Sequence, residues 1–276
     1  MNIARWLQGH AKEPDRLALT FEDREWSYGD VDAVTSRVAS GLARLGVEPG
    51  DRVGCMLPNW PEFHFTTHGT WKAGAVEVPI NTMFRAEEVE FVLGDSRATA
   101  VVASPETAAV ISGVRDRLPD LRAVVVAGTC DVPGTVSFEE LLELGDPGAR
   151  AAEVAADDLA VIAYTSGTTG FPKGAMLDHA NVVVSMEALA RYLDLGRDDN
   201  VLQVLPCFHS NASLIGIVFA WYLGSTAVLL ERFEPERFVE TVRARRPAFF
   251  AFVPTLLHDL SRMEGTRPAR SRRCGT

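Results

Sequence analysis

Residues 164 to 175 read YTSGTTGFPKGA, a run of twelve in which nearly every position carries a group suited to one task. Gly167, Gly170 and Gly174 let the backbone take positive φ and come close to a ligand. Thr165, Ser166, Thr168 and Thr169 add hydroxyls without bulk, and Lys173 adds one positive charge. Successive N–H groups in such a loop form a concave anion nest, with an ammonium to neutralise charge at its rim. The chemistry implied is a grip on a polyphosphate. Three lysines stand against 24 arginines in the whole chain, which weighs against Lys173 being filler.

The order of residues decides which phosphate loop this is. A Walker loop needs Gly-Lys-Ser/Thr, whereas here Pro172 precedes Lys173 and Gly174 follows it. No GxGxxG occurs, which removes the dinucleotide fingerprint. The plain alternative is a flexible Gly/Thr linker between a strand and a helix. The flanks supply that context: an apolar run from Leu159 to Ala163 reads as a buried strand, and a helical pattern starts near His179.

The rest of the chain alternates in the same way. Val31, Val34, Val38, Leu42 and Leu45 step by 3, 4, 4 and 3, one face of an amphipathic helix. Gly46 closes it, Gly50-Asp51 turns, and Val53 to Leu57 reads as a strand. Further helices are expected near 61–73, 86–93, 106–117, 138–144, 179–193, 209–223, 235–245 and 254–263. Strands are expected near 76–79, 99–103, 123–126, 159–164, 201–204, 226–230 and 249–252. Such alternation implies an α/β fold of mostly parallel, doubly wound sheets covered on both faces. Pro133-Gly134 and the stretch 145–158 are the candidate breaks between two lobes of about 1–150 and 151–276.

Charge and cysteines narrow the class. Net charge −10 and a pI near 5.1 argue against nucleic acid or an anionic membrane as partner. Arg246, Arg262, Arg267, Arg270, Arg272 and Arg273 gather near the end and read as a solvated tail. Cys55, Cys130, Cys207 and Cys274 form no C-x-x-C pair, so no metal site is expected, and reduced thiols imply a cytoplasmic setting. The N-terminus lacks the apolar core of a signal peptide. Residues 212 to 230 are uncharged and long enough to span a bilayer, but Gly224-Ser225 splits them into a buried helix and a buried strand.

With its flanks, the loop resembles the signature of the adenylate-forming superfamily, which comprises acyl-CoA synthetases, luciferases and peptide-synthetase adenylation domains. The similarity extends from about residue 16 to the end, through WSYGDVDAVTSRVASGLARLGVEPGDRVGCMLPN, WKAGAVEVPIN, LPCFHSNA and FVPTLL in the family's order. Family members continue well past the point where this chain stops, and SRRCGT resembles the entry to the adenine-binding half. The resemblance therefore implies a truncated member, an incomplete N-terminal AMP-binding domain spanning 1–276. Such a member would lack the ribose-binding Asp, the hinge and the C-terminal domain with its catalytic Lys, and would have little ligase activity alone.

The activity implied is a two-step ligation with ATP, Mg2+ and coenzyme A. A carboxylate attacks the α-phosphorus, pyrophosphate leaves, and the CoA thiolate then displaces AMP from the acyl-adenylate. Thr165, Ser166, Gly167, Thr168, Thr169, Gly170 and Lys173 are assigned to the phosphates, where donors aimed at developing charge lower the barrier. Phe208 and His209 are expected where the acid meets the nucleotide, with His209 and Lys173 as the catalytic candidates. Val253, Pro254 and Thr255 are expected on the far side of the acyl pocket, although Pro254 also suits a first helical position. Peptide-synthetase domains carry Asp where His209 stands, and without that carboxylate a cationic α-amino group is disfavoured.

His64 and His68 share a helix face but lack the Glu of a zincin, and read as ordinary helix histidines. Glu87, Glu88 and Glu90 read as a solvated face. Three functions remain open. They are an acyl-CoA ligase for a fatty acid, a ligase of an aryl-acid or carnitine-type branch, and a non-catalytic remnant or interaction module.

Overall fold

The computed structural model describes residues 2–129, 131–165, 172–209, 212 and 214–262. Two sheets organise them. The larger contains β3 (Arg52–Met56), β4 (Val76–Pro79), β5 (Ala98–Ala103), β6 (Ala123–Val126), β7 (Val136–Ser137), β8 (Leu159–Thr165) and β9 (Lys173–Asp178), in the order β7-β6-β5-β3-β4-β8-β9. The smaller contains β1 (Leu17–Phe21), β2 (Arg24–Ser27), β10 (Val201–Gln203), β11 (Ala227–Leu229) and β12 (Phe249–Phe250), in the order β12-β10-β11-β1-β2. Only β1–β2 and β8–β9 pair antiparallel among the described strands.

The two-residue period of the strands builds the layers. Val53, Cys55, Ala100 and Val102 face the interior between the sheets, while Met56, Val101 and Ala103 face outward. In the smaller sheet Val201, Ala227 and Leu229 face inward, and Leu202, Val228 and Leu230 outward. The inner layer holds α2 (Tyr28–Arg44) and α3 (Pro61–Lys72). On the outer side of the larger sheet lie α4 (Ala86–Asp95) and α5 (Pro105–Ser112), and α9 (Pro235–Arg245) covers the smaller one. The remaining helices are α1 (Arg5–His10), α6 (Phe138–Leu144), α7 (His179–Leu193), α8 (Phe219–Leu223) and α10 (Pro254–Ser261).

Reciprocal capping by Ser27 and Asp30 starts α2, and its predicted apolar face is buried at Val31, Val38 and Leu42. Gly69 lets α3 approach α2, since a Cβ there would lie 2.4 Å from Val38 Cγ1. The large inner side chains satisfy their own polar tips. Trp71 Nε1 donates to Ala160 O (2.8 Å), Trp221 Nε1 to Ala18 O (3.0 Å) and Tyr28 Oη to Ser225 O (2.7 Å).

Four sequence expectations change. Lys173 to Asp178 form strand β9 rather than the tail of a loop. The expected helix over 106–117 ends at Ser112, where Gly113 follows, and a 3-10 turn covers Arg115–Arg117. The expected helix over 209–223 is broken at Gly216: a π-turn (Leu214–Val218) leads into α8, because Gln203 Oε1 takes the Ile217 N–H at 2.9 Å. The sheets also do not divide at 145–158, since β1–β2 joins the smaller sheet and β8–β9 the larger. Among the described residues no helix is long and apolar enough to cross a membrane.

Candidate active site

The glycine- and hydroxyl-rich segment connects the two strands of a hairpin. Thr165 pairs with Lys173 at its base, and Thr165 Oγ1 donates to Lys173 O at 3.4 Å. Ser166, Gly167, Thr168, Thr169 and Gly170 lie outside the described residues. Thr165 and Lys173 are exposed, so both present their side chains at the base of the loop. Beside them Tyr164 donates its phenol to Asp95 Oδ2 at 2.6 Å, and burial together with that carboxylate raises its pKa. Gly174 gives the ring room, since a Cβ there would lie 3.1 Å from Tyr164 Cζ.

The hairpin forms one wall of a cavity of about 420 Å³. Its lining takes Ala163, Tyr164 and Thr165 from β8, Ala175 and Leu177 from β9, and Pro79, Asn81 and Phe84 from the end of β4 and the chain beyond it. Phe208 and His209 close the opposite side. Their rings lie 4.6 Å apart at 51°, and His209 N donates to Pro206 O at 3.1 Å, closing a turn after β10.

His209 also lines a second cavity of about 650 Å³. That cavity is apolar, walled by Leu205, Pro206, Ala212, Ile215 and the stretch 249–253. The structure thus brings Thr165, Phe208 and His209 to one cavity, and His209 and Val253 to the other. Lys173 stands at the hairpin base without lining either. Pro254 and Thr255 open α10 as exposed residues next to Val253, and neither lines the apolar cavity, because the helix turns their side chains into solvent.

Asn81, Phe84 and Tyr164 line the cavity in addition to the residues expected from the sequence. Asn81 was visible as the last residue of VEVPIN, but its place beside the hairpin depends on β4 pairing with β8.

The apolar interior between the sheets also holds buried polar side chains. His64 and His68 are buried on α3, and burial depresses both, His68 to about 3 and His64 well below the ordinary value. His64 Nε2 lies 3.2 Å from Cys207 Sγ, and Gln203 Nε2 donates to the same sulfur at 3.0 Å. Cys55 and Cys207 are unbridged, and burial pushes both thiols up. Glu77 accepts from Thr67 Oγ1 at 2.5 Å, its Oε2 has no partner among the described residues, and burial raises the carboxyl to about 7. Among the described residues no group of three or more His, Cys, Asp or Glu could hold a metal ion.

The α/β body thus sets the base of the glycine- and hydroxyl-rich segment and an apolar cavity on the two sides of His209. Residues 7–274 match the family described as AMP-binding enzyme, and the chain belongs to it. It is 33% identical over 264 residues to the 4-hydroxybenzoate–CoA/benzoate–CoA ligase of Rhodopseudomonas palustris, covering 94% of this chain and 49% of that protein. It is equally 33% identical over 267 residues to the long-chain-fatty-acid–CoA ligase FadD13 of Mycobacterium tuberculosis, covering 93% and 50%. The anthranilate CoA ligase AuaEII, solved with anthranoyl-AMP, superposes with a TM-score of 0.88 at 27% identity, over 93% of this chain and 50% of that one. The N-terminal domain of FACL13 from Mycobacterium tuberculosis, solved with an inhibitor, gives 0.86 at 30% identity, over 95% and 65%. The chain spans about half the length of the curated relatives it matches.

Proposed function

We propose that the chain carries the phosphate- and acyl-binding surfaces of an ATP-dependent acid–CoA ligase that activates an apolar carboxylic acid, a fatty acid first. The observation behind this reading is the shared wall. Thr165 at the base of the loop and His209 line one cavity, and His209 also lines the apolar one. An acid whose tail occupies the apolar cavity would present its carboxylate at His209, across from phosphates held by the loop.

In this reading the segment from Thr165 to Gly170 and Lys173 hold the β- and γ-phosphates and spread the charge of departing pyrophosphate. Magnesium arrives with ATP as part of the substrate. Phe208 and His209 guide the carboxylate, Val253 bounds the acyl tail, and Pro254 and Thr255 fix the helix start that carries it. Coenzyme A is the thiol acceptor. The relatives' names favour the same chemistry and divide between fatty and aromatic acids: FadD13 is named for long-chain fatty acids and the Rhodopseudomonas enzyme for benzoates. Phe249, Phe250 and Phe252 in the apolar wall keep the aryl-acid branch as the second reading.

Equilibrium binding to the 276-residue chain tests this. Mg·ATP should bind, inorganic pyrophosphate should compete with it, and dodecanoate should bind more tightly than benzoate, carnitine or phenylalanine. Absence of competition by pyrophosphate removes the loop from the reading. A preference for benzoate transfers the chain to the aryl-acid branch.

A further inference from the structure

We propose that Asn59 is the positioning residue of this site. Its amide fixes the backbone of residues 204–207 and so sets His209 in the wall between the two cavities. The inference rests on the proposed role of His209 toward the acid.

Asn59 stands in the turn between β3 and α3, in the larger sheet's part of the chain, and is 4% exposed. Its partners all belong to the smaller sheet's strand ends. Nδ2 donates to Leu205 O (3.1 Å), Leu230 O (3.1 Å) and Val204 O (3.4 Å). Oδ1 accepts the Cys207 N–H at 2.7 Å. Two amide hydrogens serve three carbonyls, and the oxygen meets a donor, so the reverse orientation of the amide would set like against like.

These bonds act on a segment that has left the β10 ladder and contains Pro206, which has no N–H to offer. Buried backbone groups must be paired, and here one side chain from the opposite sheet pairs those just before Phe208 and His209. Cys207 is held a second time through its sulfur, by Gln203 and His64. The neighbouring Trp60 donates Nε1 to Glu231 Oε1 at 2.8 Å and tethers the same turn to the chain after β11. His209 thus stands on a turn whose register is dictated from the other sheet.

The experiment uses the 276-residue chain in four forms: parent, Asn59→Ala, Asn59→Ser and the control Trp60→Phe, which loses the Trp60–Glu231 bond and part of the indole's packing but none of the Asn59 bonds. Two quantities are read: the NMR signal of the His209 imidazole, and dissociation constants for Mg·ATP and for the sulfamoyl analogue of dodecanoyl-adenylate. In folded Asn59→Ala the His209 signal should move. The adenylate analogue should bind about tenfold more weakly, while Mg·ATP stays within about twofold of the parent. Trp60→Phe should leave the signal and the ratio of the two affinities unchanged. Asn59→Ser, which keeps one hydrogen-bonding oxygen, should fall between.

An unmoved His209 signal with an unchanged affinity ratio in folded Asn59→Ala overturns the proposal. So does failure of both Asn59 variants to fold, which makes Asn59 a residue of stability alone. If the parent binds neither probe, the proposed function fails on its own, and the His209 signal still decides the positioning role.

Discussion

The two sides of the candidate site are built on opposite plans. On the hairpin side, Thr165 is exposed at the end of β8 and Lys173 on the edge strand β9, where Gly174 and Ala175 are exposed as well. On the far side, Asn59, Gln203, Cys207 and His64 are buried, and hydrogen bonds tie them to one another or to the backbone. The first side leaves its polar side chains exposed, whereas the second spends its donors on placing the chain. Lysine makes the contrast plain. Rarity alone marks Lys72 as strongly as Lys173, yet Lys72 is buried, with Nζ donating to Asp32 Oδ1 (2.5 Å), Asp32 O (2.9 Å) and Ser36 Oγ (2.9 Å). It joins α3 to α2. Surroundings, rather than residue type, assign the role.

The largest effect that tests the buried side comes from Glu77. Burial lifts its carboxyl from 4.5 to about 7, so the unfolded chain releases its proton near 4.5 and the folded protein only near 7. Between those values the folded state binds more protons, and stability falls as pH rises. Below 4.5 there is no penalty, and above 7 the penalty is complete. Relative to Glu77→Gln, the parent should lose about 3 kcal/mol across that window, read by urea unfolding at a series of pH values. The buried histidines act in the opposite sense, losing stability as pH falls below 6.5, and cancel in the difference. A constant difference would mean that the interior between the sheets is wet. Asp32→Ala comes next. It strands the Lys72 ammonium and should cost roughly 2 kcal/mol, below the range for fully buried pairs because Asp32 is a quarter exposed. A loss no larger than that of a surface pair would place Lys72 with Lys173 instead.

What could be read from the sequence follows the same division. The α2 face was legible because burial on one side imposes a helical period, and the parallel strands because burial on both sides makes them continuously apolar. Strand β9 was not. KGAMLD is exposed or half-exposed along its whole length, so no alternation marks it. The glycine- and hydroxyl-rich segment stands out in the sequence because its residues lie within one short stretch. The Asn59–Cys207 bond joins residues 148 apart, between types common in any protein, and only the folded chain brings them together. The N-terminal hairpin was hidden for a related reason, since β1 pairs with β11 across two hundred residues of intervening chain.

Two smaller effects sharpen the exposed side. Lys173→Ala removes the cation at the base of the loop and nothing from the core. Pyrophosphate competition against Mg·ATP should weaken about tenfold while the melting temperature stays put. A lowered melting temperature with unchanged competition would make Lys173 structural, like Lys72. Tyr164→Phe is the gentler case. Tyr164 follows Ala163 on β8 and ties the strand end to α4 through Asp95, at a half-exposed position where water can replace the lost partner. Its stability cost should be about 0.5 kcal/mol. The informative quantity is binding. Thr165 is already held by its ladder pairing to Lys173, so pyrophosphate affinity should move by less than about threefold. A larger loss would mean that the Tyr164–Asp95 bond places the base of the loop from a neighbouring element, as Asn59 is proposed to place His209, and the two sides would then share one plan.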